Sequence, residues 1–362
     1  MHQTFAARRI FTGTGWLNDQ AIIVKDGIIE SVIPVELIND PIEKLNGTIV
    51  PAFIDVQVYG AAQKLFSVFP EAATLELMYK NFSFTGTVLF LPTIATNTRE
   101  VVSAGIAAVK DHWAKGGKGV PGLHLEGPWL NAERRGAHVK EWIHAPTIEE
   151  VRDVLDEAAG AVKMITLAPE VCSDEIIQSI LSRGIIISAG HSNAKYTEAV
   201  HGFETGINTV THLYNAMSPL HHREPGLVGA ALNHDSVRAS IIPDGHHVDF
   251  AAIAIAKKIM SERLFAITDA VTETNEGPYR HQLAGDKYES NGILSGSALS
   301  MHRAFVNLVN EVGIDEGEAL RMCSLYPAQL LGCDDRYGKI APGYAGQFLV
   351  LDQKQAIVKV IL

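Results

Sequence analysis

Short apolar runs alternate with longer segments of helical periodicity through most of the chain. The runs fall at 49–56, 88–91, 122–125, 164–167, 185–188, 209–211, 239–242 and 265–268, and we predict a strand at each. The segments predicted as intervening helices include 71–82, 98–110, 147–159 and 250–261. Eight such units favour an α/β fold, a closed (β/α)8 TIM-type barrel, with a doubly wound open sheet as the alternative.

The two ends of the chain follow another pattern, with short strands joined by tight turns. Lys25-Asp26-Gly27 separates two apolar runs, and an Asp-Gly pair at such a place is typical of a β-hairpin. A turn-rich stretch at 338–343 is followed by two further apolar runs. We therefore predict a small β-sandwich domain formed by both chain termini. The predicted boundaries are 1–49 and 338–362 for this domain and 50–337 for the barrel.

Composition and charge narrow the class of protein. The 362 residues are 47% hydrophobic and 20% charged, which is enough apolar surface for a large core. The formal net charge of −11 argues against nucleic acid as a partner, whereas a phosphorylated small molecule needs only local positive groups. No apolar run reaches the length of about 18 residues that a membrane span needs, so we expect no membrane partner.

The number and spacing of the cysteines indicate the redox environment of the protein. Cys172, Cys323 and Cys333 contain no Cys-x-x-Cys pair, and their number is odd. A disulfide framework is therefore not predicted, and the pattern fits a reducing environment. Residues 1–11 also lack the long apolar stretch of a secretory signal. These features predict a cytoplasmic protein.

Titratable side chains recur where the predicted strands end. The segments concerned are Asp55-Val56-Gln57, His124-Leu125-Glu126, Gly190-His191-Ser192, His212-Leu213-Tyr214-Asn215, Asp244-Gly245-His246-His247 and Asp269-Ala270. In a barrel, the carboxyl ends of all strands share one face, on which active sites are built. We therefore expect one Glu, several His and one Asp to converge there.

Glu126, His191 and His212 form a candidate metal site. Two imidazoles and one carboxylate suit a divalent ion such as Zn²⁺ and leave a coordination position open for water. Fe²⁺ accepts the same ligands, so it stays an alternative to zinc. Such an ion lowers the pKa of its bound water and polarises a carbonyl group.

Asp269 is the candidate general base, because a carboxylate that is not a ligand can take the proton of the attacking water and return it to a leaving amine. The competing interpretation is a helix N-cap. Each histidine alone is more often a structural residue than a ligand. A purely structural role for each residue would need several coincidences, because Glu126, His191, His212 and Asp269 occupy matching places after separate strands.

Several longer runs resemble a known family. They lie at 51–57, 122–131, 189–192, 211–217, 223–226 and 244–249, and they include the specific stretches HLEGPWLN and THLYNAM. In this order they resemble the N-acetylglucosamine-6-phosphate deacetylases of the amidohydrolase superfamily, over nearly the whole chain. The resemblance implies a barrel with a small β domain. It also implies hydrolysis of N-acetylglucosamine 6-phosphate to glucosamine 6-phosphate and acetate by a metal-activated water.

The resemblance also assigns residues. It matches Glu126, His191 and His212 to the metal ligands and Asp269 to the proton-transferring residue. Substrate-binding positions are matched by Gln57, Ala137, His138, Asn215, Ala216, Arg223, His247, Leu294, Ser295 and Gly296. The guanidinium of Arg223 offers a planar set of donors suited to phosphate, although a surface ion pair is the alternative for it. The family commonly forms homodimers in which the phosphate-binding Arg comes from the partner subunit.

One segment departs from the wider superfamily. Many amidohydrolases carry His-x-His after the first strand and hold a second metal there, whereas this chain has Gln57-Val58-Tyr59. An amide and a phenol are poor zinc ligands compared with imidazole, so we predict one metal ion. Tyr59 and the loop 60–66 differ from what the family pattern leads us to expect, which bears on the shape of the sugar pocket.

Two other functions compete with the deacetylase. One is another mononuclear amidohydrolase that acts on a related N-acyl or cyclic amide substrate, which the altered loop 60–66 motivates. The other is a sugar-phosphate-binding protein without catalysis, against which Asp269 argues, because a binder has no need of a proton-transferring group beside a metal.

Overall fold

The computed structural model describes residues 2–39, 41–290 and 292–362. Its strands are β1 (His2–Phe11), β2 (Trp16–Lys25), β3 (Ile28–Pro34), β4 (Glu43–Lys44), β5 (Thr48–Pro51), β6 (Phe53–Val58), β7 (Gly60–Ala61), β8 (Lys64–Leu65), β9 (Thr87–Ala95), β10 (Leu123–Glu126), β11 (Val162–Leu167), β12 (Ile186–Ala189), β13 (Thr209–Val210), β14 (Arg238–Ile241), β15 (Leu264–Ala266), β16 (Gln282–Ala284), β17 (Lys287–Ser290), β18 (Ile293–Ser297), β19 (Phe348–Leu351) and β20 (Ile357–Ile361). Its α-helices are α1 (Ala72–Phe84), α2 (Arg99–Ala114), α3 (Ile148–Ala158), α4 (Asp174–Leu181), α5 (Tyr196–Thr205), α6 (Gly226–Asn233), α7 (Phe250–Met260), α8 (Met301–Asn310), α9 (Glu316–Cys323) and α10 (Leu325–Leu331).

The central sheet has eight strands in the order β15-β14-β13-β12-β11-β10-β9-β6. The order follows the chain, and neighbouring strands from β9 to β15 are parallel, which is the arrangement of a TIM-type barrel. The first and last strands meet just beyond the end of β15. There Val58 forms a parallel bridge with Ala270, and the Asp269 N–H donates to the Gln57 carbonyl at 3.0 Å. The predicted barrel is confirmed, and the open sheet is excluded.

Both termini contribute to a second sheet of seven strands. Its order is β20-β19-β5-β1-β2-β3, with β4 paired to β1 beside that path. The predicted hairpin joins β2 to β3 through Asp26 and Gly27, whose φ angles of 50° and 80° belong to the left-handed region that a two-residue turn of this kind requires. Phe5 and Phe348, from opposite ends of the chain, pack edge to face at 5.3 Å. The prediction that the two termini form one small β domain is confirmed.

The local sequence determines where helix α3 begins and ends and which of its faces is buried. The Thr147 side chain accepts a hydrogen bond from the Glu150 N–H at the start of the helix, and Glu149 and Glu150 place negative charge in the first turn. Val151, Val154, Leu155 and Ala158 recur on one face and are buried. Burying each large aliphatic side chain contributes about 1.5–3 kcal/mol. The helix ends at Ala159, which has left-handed backbone geometry and is followed by Gly160.

The chain divides into two compact units. One comprises Met1–Asp55, Phe82–Val88 and Ser300–Leu362, and the other comprises Val56–Asn81 and Leu89–Leu299. The second unit contains the carboxyl ends of all eight barrel strands. The domain boundaries proposed from the sequence, at 49–50 and 337–338, stay a prediction.

Candidate metal and active site

Separate strands deliver the predicted site residues to one end of the barrel. Glu126 is the last residue of β10. His191 follows the end of β12 by two residues, and His212 follows the end of β13 by two. Asp269 comes three residues after β15. Because the strands are parallel and adjacent, their carboxyl ends lie on the same face, and these side chains converge there.

Glu126, His191 and His212 lie close enough to share one ion. Their ligand atoms all fall within 4.8 Å of one another, and all three residues are buried. Nε2 of His212 lies 3.0 Å from Glu126 Oε1 and 3.1 Å from Nε2 of His191. Nε2 of His191 lies 3.3 Å from the same carboxylate oxygen. Zinc ligands at about 2.0–2.1 Å from the ion in a tetrahedral site are roughly 3.3–3.4 Å apart, so the cluster matches that scale.

The hydrogen bonds of His191 indicate which of its ring nitrogens is available to bind an ion. The Arg134 carbonyl, which can only accept, lies 3.0 Å from Nδ1 of His191, so Nδ1 carries the proton of the neutral ring. Nε2 of His191 is then the unprotonated atom, and it faces Nε2 of His212 and Oε1 of Glu126. Two imidazole nitrogens and a carboxylate oxygen at these distances are a donor set that suits a divalent ion. The donor set therefore fits a divalent metal ion.

The backbone at these residues supports a functional role. His191, His212 and Asp269 have φ angles of 47°, 33° and 54°, and Ala216 has 49°. The left-handed region costs residues other than glycine roughly 1–2 kcal/mol each. Such costs persist where the surrounding structure enforces them, and they cluster at active sites. The turns after β12, β13 and β15 adopt this geometry and carry the three side chains to the site.

Gln57 and Tyr59 connect the metal cluster to Asp269. Nε2 of Gln57 lies 2.9 Å from Glu126 Oε1 and 2.8 Å from Asp269 Oδ1, so the amide bridges the two carboxylates. The Tyr59 hydroxyl donates to Glu126 Oε2 at 2.5 Å and lies 3.4 Å from Asp269 Oδ1. No helix begins after Asp269 in the described residues up to 290, so the helix-cap interpretation of this residue is excluded.

Charge and burial set the protonation of the cluster. Burial opposes the charged form of Glu126, but the adjacent imidazoles, that of His191 above all, hold its pKa well below the usual value. Burial and then the charge of Glu126 raise the pKa of Tyr59, so the phenol keeps its proton and donates it. Burial lowers the pKa of His138 to about 4, and its ring is neutral at neutral pH.

His138 is oriented by two contacts. Its Nδ1 accepts from the Thr96 N–H at 3.3 Å, so the proton of the neutral ring is on Nε2. Nε2 then donates to Glu126 Oε2 at 3.1 Å. The ring of His138 also packs against that of His191, with centroids 4.3 Å apart. This residue therefore supports the carboxylate and presents a face to the adjoining pocket.

A pocket opens directly above the metal cluster. Its lining includes Glu126, His191, His212, Asp269 and Tyr59. It also includes eight of the ten residues that the resemblance matched to substrate-binding positions, namely Ala137, His138, Asn215, Ala216, His247, Leu294, Ser295 and Gly296. Gln57 reaches the site through its hydrogen bonds to the two carboxylates. Arg223, in contrast, is exposed on the loop after β13 and is not among the residues that line this pocket.

The two neighbouring histidines of the segment 244–249 face different ways. His247 lines the pocket, and its Nδ1 lies 2.6 Å from Asp244 Oδ2. Burial alone would raise the pKa of Asp244, yet the hydrogen bonds from His247 keep it lowered. His246 instead contacts Asp286 at 2.7 Å. Asp244 thus orients His247. The spacing of three residues between them, within one turn, is a sequence signal that could have suggested this role.

Tyr279 and His281 line the pocket and were not predicted from the sequence. They precede the three-stranded sheet β16-β17-β18, and their rings are parallel with centroids 6.3 Å apart. The Tyr279 hydroxyl donates to the Thr96 carbonyl. Nδ1 of His281 lies 2.9 Å from the Ser295 hydroxyl. No strand-end pattern marks these residues, because they come from an excursion between a barrel strand and the next helix.

His281 should make stability depend on pH. Burial lowers its pKa from 6.5 to about 4, so the folded protein keeps the ring neutral while the unfolded chain protonates below 6.5. The unfolded state then binds more protons between these values, and the free energy of unfolding falls as pH drops from 6.5 towards 4. The contribution lost by pH 4.5 is about 2 kcal/mol.

His281→Gln isolates this effect, because glutamine does not titrate. The difference in free energy of unfolding between the native chain and the variant, from urea denaturation at pH 7 and pH 4.5, should shrink by about 2 kcal/mol at the lower pH. His302→Gln, at a histidine outside the pocket, is the control. An unchanged difference for His281→Gln would show that the imidazole is accessible to protons in the folded state.

Comparisons with known proteins agree with this geometry. A model of the amidohydrolase family matches residues 48–362, and a model of the NagA composite domain matches residues 6–50. An N-acetylglucosamine-6-phosphate deacetylase of Haemophilus influenzae is 32% identical, over 98% of this chain and 96% of that protein. An N-acetylgalactosamine-6-phosphate deacetylase of Escherichia coli O157:H7 is 31% identical, over 97% of this chain and 96% of that protein.

Solved structures extend the similarity to the fold. The crystal structure of an N-acetylglucosamine-6-phosphate deacetylase from Pasteurella multocida superposes with a TM-score of 0.95 at 32% identity, covering 100% of this chain and 98% of that one. Among the described residues, none of the helices has the length and apolarity needed to cross a bilayer. The resemblance seen in the sequence motifs is confirmed, and this chain belongs to the amidohydrolase family, in the group of the N-acetylglucosamine-6-phosphate deacetylases.

Proposed function

We propose that this chain hydrolyses the acetamido group of N-acetylglucosamine 6-phosphate, giving glucosamine 6-phosphate and acetate. The observation that carries the proposal is the cluster of Glu126, His191 and His212, with Asp269 beside it, at the floor of a pocket. Relatives of near-equal length bear the name of this activity. The E. coli relative named for the galactosamine epimer makes N-acetylgalactosamine 6-phosphate the second candidate substrate.

Glu126, His191 and His212 would hold one divalent ion, and we propose Zn²⁺, with Fe²⁺ as the alternative. When bound, such an ion lowers the pKa of a coordinated water and polarises the amide carbonyl. Asp269 is proposed to take the proton from the attacking water and to deliver it to the amine nitrogen as the C–N bond breaks. The neutral ring of His138 lines the pocket beside these residues.

The remaining pocket residues are proposed to bind the sugar. The pocket is lined by Ala137, Asn215, Ala216, Leu294, Ser295 and Gly296, and His247, which also lines it, is held by Asp244. Arg223 is proposed to bind the phosphate of a substrate in the partner subunit of a homodimer. Its exposure outside the pocket of its own chain supports that arrangement. Among the described residues, Cys172, Cys323 and Cys333 form no disulfide, which supports a cytoplasmic location.

Acetate-release assays with phosphorylated and unphosphorylated sugars test this proposal. The native chain loaded with zinc should hydrolyse N-acetylglucosamine 6-phosphate and act poorly on N-acetylglucosamine. Arg223→Ala should raise KM for the phosphorylated sugar by about 10–100-fold, because it deletes a charge-assisted contact worth roughly 1.5–3 kcal/mol. It should leave the weak activity on the unphosphorylated sugar unchanged. Arg183→Ala, at an exposed arginine paired with Asp156, is the control for lost surface charge.

Three results would contradict parts of the proposal. Absence of turnover on either hexosamine phosphate by the zinc-loaded protein would favour the other amidohydrolase activity, on a related N-acyl or cyclic amide. Faster turnover of the galactosamine epimer would reassign the substrate within the same chemistry. A monomer in analytical ultracentrifugation at the assay concentration, with full activity, would remove the role of Arg223 across an interface.

A further inference from the structure

The hydroxyl of Tyr59 lies among the residues of the metal site, but the proposed reaction assigns it no role. It donates to Glu126 Oε2 at 2.5 Å, accepts from Nε2 of Gln57 at 2.8 Å and lies 3.4 Å from Asp269 Oδ1. The residue stands at the end of β6, where a histidine of a His-x-His pair would stand in other amidohydrolases. A phenol that keeps its proton is a poor ligand but a strong donor to a carboxylate.

The two oxygens of Glu126 have different surroundings. Oε2 accepts from the Tyr59 hydroxyl at 2.5 Å and from Nε2 of His138 at 3.1 Å. Oε1 accepts from Nε2 of Gln57 at 2.9 Å and faces Nε2 of His212 at 3.0 Å and Nε2 of His191 at 3.3 Å. Tyr59 and His138 therefore hold Oε2, whereas Oε1 accepts from the Gln57 amide and is directed at the imidazoles. A carboxylate held in this way offers a metal one oxygen in a fixed position.

We propose that Tyr59 is a positioning residue that holds Glu126 as a single-oxygen metal ligand. The inference rests on the metal site of the proposed function. The Tyr59 phenol donates to Glu126, and the Gln57 amide joins the same carboxylate to Asp269, so both carboxylates are held by neutral donors.

The surroundings of Tyr59 keep its hydroxyl in place. The ring packs in a buried apolar cluster with Leu65, Val271 and Tyr279. The Tyr59 N–H donates to the Ala270 carbonyl at 2.9 Å, and its own carbonyl accepts from the Phe66 N–H at 2.8 Å. Backbone and ring are therefore both fixed. A donor fixed in this way orients its acceptor at little cost in conformational entropy, as partners of metal ligands do.

Removing the hydroxyl while keeping the ring tests the proposal. Tyr59→Phe in the full-length, metal-free protein should weaken the Kd for Zn²⁺ by about 10–100-fold, measured by competition with a chromophoric chelator. The matched control is Tyr326→Phe, which deletes another tyrosine hydroxyl that donates to a carboxylate, that of Glu318 at 2.9 Å. The control should keep the native Kd for zinc and one zinc per chain.

The outcomes separate this inference from the proposed function. A Kd for Tyr59→Phe within twofold of the native value, with zinc bound to the native chain, overturns the role of Tyr59 alone. A native chain that binds no zinc overturns the metal site and the inference with it. An equal loss in both tyrosine variants assigns the effect to general destabilisation and also overturns the inference. Tyr59→Leu, which fills the apolar cluster without a hydroxyl, gives the same measurement if the phenylalanine variant is insoluble.

Discussion

Asp269→Asn should lower kcat for acetate release by about 10²–10⁴-fold and leave zinc binding in place. Asparagine has the same shape as aspartate, but it cannot take a proton from water or return one to an amine. The backbone of the turn should persist, because the residue 269 N–H donates to the Gln57 carbonyl and does not depend on the side chain. The side chain is not one of the three groups that cluster as metal ligands.

The measurements are steady-state kinetics and zinc content of the purified variant. If Asp269 acts only in proton transfer, kcat and kcat/KM should fall together, which is the sign of an interaction lost in the transition state. Asp286→Asn, at an exposed aspartate whose side chain is 83% accessible, is the matched control and should keep native kinetics. Activity within tenfold of native in Asp269→Asn would assign the proton transfer to another group.

The barrel was predictable because its signal repeats. Most barrel strands are short apolar runs, and the predicted runs at 122–125, 164–167 and 185–188 overlap β10, β11 and β12. The predicted first run, 49–56, proved to be two strands, β5 in the terminal sheet and β6 in the barrel. Ala52 separates them, and the run is buried throughout, so no polar residue marked the change of sheet.

The metal cluster was predictable for a different reason. In a parallel barrel the end of a strand fixes the position of the next side chain, so Glu126, His191 and His212 could be brought together from topology alone. Tyr279 and His281 could not, because they lie on an excursion whose path is set by contacts such as that of His281 with Ser295. The hydrogen bonds of Tyr59 were likewise out of reach, since the sequence shows a residue type and not the direction of its hydroxyl.

Glu126→Gln should abolish the metal site, and acetate release should become undetectable. The amide removes the negative charge that faces His191 and His212, and it places either a neutral oxygen or an NH₂ group where the carboxylate oxygen was. Loss of a supporting residue near a metal typically weakens affinity by about 10–100-fold, and loss of a direct ligand should exceed that range.

Zinc-dependent stabilisation measures this loss without the need for any substrate. An ion that binds only the folded state stabilises it by RT ln(1 + [L]/Kd), so a Kd raised 100-fold or more removes about 2.7 kcal/mol or more of that stabilisation at saturating zinc. Thermal melts with zinc and with chelator should therefore coincide for Glu126→Gln and differ for the native chain. Glu318→Gln, at a partly buried glutamate that accepts from Tyr326, should keep the native difference. A zinc-induced shift in Glu126→Gln equal to that of the native chain would mean that the Glu126 carboxylate is not a ligand of the ion.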